Sequence, residues 1–130
     1  MANSLTTQTL VDGARNTVVK AVGILDTSDL AKTTLVDPAN FTPTPTEFRI
    51  DRIIWSVEQG ISVLLDWDAT SDVYIDTFDG TGRGDYRRFG GLINNAGAGK
   101  TGKIEISTEG WAASGIYHFT LTLEMVKMGV

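Results

Sequence analysis

Residues 116–125 read Ile116-Tyr117-His118-Phe119-Thr120-Leu121-Thr122-Leu123-Glu124-Met125. Tyr117, Phe119, Leu121, Leu123 and Met125 alternate with His118, Thr120, Thr122 and Glu124. A period of two puts every apolar side chain on one face of an extended chain, whereas a helix would scatter them around its circumference. The segment is therefore a strand with one face in a core and one in water. Its neighbours repeat the pattern. Residues 103–108 alternate cleanly, and in residues 61–68 Ile61, Val63, Leu65 and Trp67 alternate with Ser62, Leu64, Asp66 and Asp68. Residues 73–78 follow as another strand after a turn at 69–72.

The central run, residues 48–57, departs from this in one informative way. Phe48, Ile50, Arg52 and Ile54 share one parity, and Ile53, Trp55 and Val57 share the other. A change of apolar face within one strand predicts a β-bulge or a strand buried on both faces. Toward the N-terminus, residues 17–25 are rich in β-branched residues. Val18, Val22 and Ile24 lie on one face, Val19 and Ala21 on the other. Residues 5–11 and 32–36 are shorter β-prone pieces. Residues 26–29 have caps for at most a very short helix, and residues 58–60 read as a tight hairpin turn. Residues 37–46 carry all three prolines and read as a loop. No stretch has a helical apolar period. The expected fold is all-β: a β-sandwich of jelly-roll type with a long glycine-rich loop. It forms a single domain over residues 1–130, with 1–11 as an N-terminal arm available to a partner.

At 130 residues and 14.0 kDa, one domain with one sizeable core is expected. There is no cysteine, which removes disulfides, thiol catalysis and thiolate metal sites. The N-terminal residues lack the order of a secretory signal, and no apolar run reaches the ~18 residues of a membrane span. A cytoplasm-like compartment and no membrane association are expected.

Residues 80–102 hold 8 of the 14 glycines and read GTGRGDYRRFGGLINNAGAGKTG. The Ala98-Gly99-Lys100-Thr101 tail invites a phosphate-loop reading. That motif needs glycine where Asn94 stands, and a helix N-terminus where a β-prone run follows. Nucleotide binding is therefore not expected. Charge is more telling. Residues 61–82 contain Asp66, Asp68, Asp72, Asp76 and Asp79 and no base, whereas residues 83–103 contain Arg83, Arg87, Arg88, Lys100 and Lys103 against Asp85 alone. One basic block in a chain of net charge −5 suits contact with another protein. The surrounding acidity argues against nucleic acid. Arg83-Gly84-Asp85 spells an attachment triplet, but chance produces it easily where these residues are enriched.

Asp66, Asp68 and Asp72 could offer oxygens to a hard cation. They lack the glycine and later glutamate of a calcium loop, so a solvated acidic face is expected and no metal or cofactor. His118 is the only histidine and lies on the polar face of a regular strand, with no nucleophile in a sharp-turn context. No catalytic residues are expected. Trp55 and Trp67 are in phase with apolar neighbours and belong to the core. Trp111 sits in a loop before the last strand, where it covers the end of the sandwich or anchors an interface. A sugar-stacking role for it would suit a carbohydrate-binding module. The candidate partner-binding residues are Arg83, Arg87, Arg88, Asn94, Asn95, Lys100 and Trp111.

The order of several pieces resembles a family of small tailed-phage virion proteins, the head decoration or cement proteins with a jelly-roll fold. These pieces are residues 11–20 (VDGARNTVVK), 49–53 (RIDRI), 65–70 (LDWDAT), 89–99 (FGGLINNAGAG) and the alternating last strand. The resemblance implies a structural protein on the outside of an icosahedral capsid, with the major capsid protein as partner. It also implies a homo-oligomer, dimer or trimer, and assembly into virions in the host cytoplasm. A tail or neck component is the alternative within virion proteins. The resemblance carries no catalytic residues.

Overall fold

The computed structural model describes residues 3–113 and 115–130. Among them are nine strands: β1 (Ser4–Asp12), β2 (Asn16–Leu25), β3 (Thr33–Val36), β4 (Glu47–Val57), β5 (Ser62–Trp67), β6 (Val73–Phe78), β7 (Thr81–Asp85), β8 (Ile104–Glu109) and β9 (Tyr117–Met128). Only two single-turn 3-10 helices, Pro38–Asn40 and Arg87–Phe89, interrupt them among the described residues. The chain is an all-β domain of two sheets. One has the order β1-β2-β9-β4-β7 and the other β3-β8-β5-β6.

The pairings follow a simple rule. β5 pairs with β6, β4 with β7, β3 with β8 and β2 with β9, all antiparallel. The chain from β2 to β9 is thus one long hairpin folded over on itself. Folding it over creates two further ladders, β4 with β9 and β5 with β8. β1 adds a fifth strand to one sheet and has no counterpart in the other.

Between the sheets lies a single apolar core. Trp67, Phe48, Phe78 and Phe119 are its largest fully buried side chains, joined by Ile50, Ile53, Leu65, Ile104, Ile106, Leu121 and Leu123. Each such aliphatic or aromatic residue contributes about 1.5–3 kcal/mol by leaving water. β9 turns Phe119, Leu121, Leu123 and Met125 inward, as its alternation predicts. β4 contains the predicted bulge. Its register with β9 slips between Ile50 and Arg52, so Asp51 is the extra residue, and Phe48, Ile50, Ile53 and Val57 all point inward. β2 buries Val19, Ala21 and Leu25 and leaves Val22 exposed. Gly23 explains the choice: it pairs with Phe119, and a Cβ there would lie 2.1 Å from the Phe119 ring.

Three expectations need correction. Residues 58–60 do turn, but not as a hairpin: β4 and β5 belong to different sheets, so the turn is a corner between them. Not even a short helix forms at 26–29, where residues 26–28 are bends. The glycine-rich segment is not one loop, because residues 81–85 form β7 at the free edge of the five-stranded sheet. Thr-Gly-Arg-Gly-Asp has little strand propensity of its own. Pairing with Arg52–Ser56 of β4 imposes the conformation.

Candidate interaction surface

Two of the basic residues, Arg87 and Arg88, sit on a protrusion built at the β4 bulge. After β7 the chain leaves the sheet at Tyr86, whose N–H donates to the Asp51 carbonyl at 2.8 Å. It returns at Leu92, which exchanges two backbone hydrogen bonds with Ile50, at 3.0 and 2.7 Å. Gly91 N–H donates to the Tyr86 carbonyl at 2.8 Å and closes the neck. The extra residue in β4 thus supplies a carbonyl that ordinary pairing would have consumed. Gly90 and Gly91 have φ of +81° and +83°, the left-handed region that an L side chain adopts only at a cost. A Cβ on Gly91 would also lie 2.6 Å from the Arg49 side chain.

Arg87, Arg88 and Phe89 form the tip, with Phe89 82% exposed. Arg87 is held back on the protein. Its Nε lies 2.9 Å from Asp85 Oδ1, and its backbone N–H donates to the same oxygen at 3.1 Å. The Arg87 guanidinium holds the Asp85 carboxyl down to about 2. The side chains of Arg83 and Arg88 make no hydrogen bond or ion pair among the described residues. Both are exposed, Arg83 on β7 and Arg88 at the tip next in sequence to Phe89.

The second half of the segment is framework. Asn94 is only 4% exposed. Its Oδ1 accepts from Ala96 N–H at 3.0 Å, while its Nδ2 has no partner among the described residues. An inward asparagine offers a partner nothing, so it leaves the contact set; Asn95 beside it is exposed. Thr70 N–H donates to the Ala98 carbonyl, and Thr101 N–H to the Asp68 carbonyl, each at 3.2 Å. Thr101 Oγ1 donates to Asp68 Oδ2 at 2.6 Å. Lys100 Nζ sits 2.9 Å from Glu47 Oε1 and ties the loop to the start of β4. Trp111 lies away from the basic tip, at the Gly60–Gly110 end of the sandwich. It is half-buried against the core, and its Nε1 donates to the Gly115 carbonyl at 3.1 Å. With its N–H satisfied by its own loop, it serves as a cover.

The acidic residues group differently from their sequence spacing. Asp66 pairs with Lys32 at 2.7 Å, and Lys32 also reaches Asp72 at 3.0 Å. Asp68, Asp72 and Glu105 each place a carboxylate oxygen within 4.8 Å of the others, the only such group among the described residues. Sequence spacing does not reveal Glu105 as a member, because it arrives from β8. Burial, together with the Asp68 and Asp72 carboxylates, pushes Glu105 up to about 7, against the pull of Lys32. These oxygens have the chemistry of a hard-cation ligand set. His118 is exposed, 3.7 Å from Glu58, and lines a shallow cleft with Ser56 and Thr120. No helix of the described residues is long and apolar enough to cross a membrane.

No protein-family model matches the chain, and no curated protein sequence matches it.

Proposed function

We propose that this chain is a jelly-roll virion protein with a structural, non-catalytic role. It binds the outer surface of an icosahedral phage capsid and stabilises contacts between major capsid protein subunits, having assembled onto virions in the host cytoplasm. The observation that carries the reading is the clipped basic protrusion. Unpaired Arg88 and the largely exposed Phe89 stand on a neck anchored at both ends to β4, and unpaired Arg83 lies on the adjoining edge strand β7. An exposed aromatic residue with arginines is what a protein contact uses as an anchor. Pre-anchoring the neck lowers the ordering cost at assembly. The jelly-roll assignment is supported by the strand orders β2-β9-β4-β7 and β3-β8-β5-β6, two four-stranded sheets from one folded-over hairpin. The ordered sequence pieces that resemble decoration proteins point the same way.

The test is occupancy on capsids. Cryo-electron microscopy of virions carrying the protein should place it on the shell exterior at regular positions. A combined Arg83→Ser, Arg88→Ser, Phe89→Ser variant should keep its thermal stability. Its affinity for empty capsids should fall about tenfold or more, equivalent to ~1.4 kcal/mol per site. Lys100→Ser should bind as the parent does. Unchanged affinity of the triple variant, or density on the tail, overturns the assignment.

A further inference from the structure

β1 is the outermost strand of its sheet, and β2 occupies only one of its two backbone edges. Free edges of this length are normally blunted by charge, proline or brevity. β1 carries little of this: it is nine residues long, residues 4–11 contain neither a charged residue nor a proline, and its one irregularity, between Thr9 and Val11, lies near its end. Eight of its nine residues are exposed. Because β1 is surplus to the four-stranded sheet, its inner face overhangs the β3 edge. A cleft of about 530 Å³ opens there, lined by Leu5, Thr7, Leu30, Thr33 and Leu35 among others.

We propose that this edge is a self-association site, in which β1 of one copy pairs antiparallel with β1 of a second about a two-fold axis. Charge selects the occupant. Each chain carries net charge −5, so two copies repel unless they meet through an uncharged segment. Residues 4–11 supply that segment. The only charged residue of β1, Asp12, is turned back onto Lys127 at 2.6 Å. Geometry then selects the register. A two-fold axis perpendicular to a sheet keeps each residue on its own face, so paired residue numbers must share parity. The β1–β2 register slips between Thr9 and Val11, which confines regular pairing to residues 4–10. Centring on Thr7 sets Thr6 opposite Gln8 of the second copy and Leu5 opposite Thr9. Such a ladder adds about six to eight backbone hydrogen bonds and joins two five-stranded sheets into one. The inference does not rest on capsid binding, because it concerns the free protein.

Sedimentation equilibrium of the full chain at about 0.1 mM, where even a micromolar contact is saturated, should show a dimer. Thr6→Glu with Gln8→Glu places like charges opposite each other on the exposed face. This variant should be monomeric, and its thermal unfolding should match the parent's at concentrations low enough for the parent to be monomeric too. Mixing it with a Thr6→Lys, Gln8→Lys chain should restore the dimer as a heterodimer. The absence of native cysteine allows a second readout: Thr7→Cys, on the axis, should form an intermolecular disulfide on oxidation, and Ser4→Cys should not. A monomeric parent overturns the proposal. So does a dimer indifferent to both charge variants, or one that crosslinks only elsewhere.

Discussion

Two glycines in the same loop show how much the tertiary setting weighs on one residue. Gly102 has φ of +83°, and a Cβ on it would fall 2.0 Å from the Thr46 carbonyl oxygen. Gly97 has no atom within 4 Å of that position and no positive φ. Gly102→Ala should cost about 2–4 kcal/mol, through a strained backbone and a clash that only main-chain movement relieves. Gly97→Ala should stay within about 0.5 kcal/mol of the parent or gain slightly from a stiffer unfolded chain. Urea unfolding of both distinguishes the cases. Glu105 gives a pH signature. Its carboxyl titrates near 7 in the fold and near 4.5 unfolded, so between those values the folded state holds more protons. Stability from this group is therefore full below about 4.5 and is lost as pH rises toward 7. Thermal unfolding followed from pH 5 to 7.5 should fall in the parent, and Glu105→Gln should flatten that slope. Neither property is visible in the sequence, because Asp68 and Thr46 reach these residues from other elements.

Among the elements, β4 connects most of the rest. It pairs with β9 and β7, bridges Leu92, and through its bulge holds the neck of the basic tip. Deleting Asp51 removes the extra residue and gives Phe48, Ile50, Ile53 and Val57 a common parity, so the core face survives while the carbonyl that holds Tyr86 is lost. Near-ultraviolet circular dichroism should then keep the signature of fixed packing while the 86–92 neck opens to limited proteolysis at Arg87 and Arg88, whereas Asp51→Asn, which keeps the count and the carbonyl, should be protected as the parent is. The bulge was legible in the sequence because parity records which face is buried. The inward face of β2 was not. Its bulkier residues lie on the outer face, and the choice depends on the Phe119 ring filling the space that Gly23 leaves. β7 was also hidden, since its five residues become a strand only by pairing with β4.

At the level of the whole molecule, a rigid sandwich presents two separate surfaces. One is a basic tip at the β4 bulge, and the other is an uncharged edge at β1, four strands away across the same sheet. If the tip binds a shell and the edge binds a second copy, each dimer attaches twice, and two modest contacts act with an effective concentration neither has alone. The triple-tip variant should then lose capsid affinity while remaining dimeric by sedimentation. The like-charge β1 variant should keep single-site affinity but dissociate faster from capsids. The sequence by itself determined the all-β class, most of the strands, the change of apolar parity in β4, the inward face of β9 and the location of the basic block. Those properties follow from local periodicity and composition. Only the tertiary structure decided that Asn94 turns inward, that Lys100 and Arg87 are tied down, that Glu105 joins Asp68 and Asp72, and that β1 is left with a free edge. Each depends on which strands lie side by side, and that is set by how the long hairpin folds over and by residues far apart in the chain.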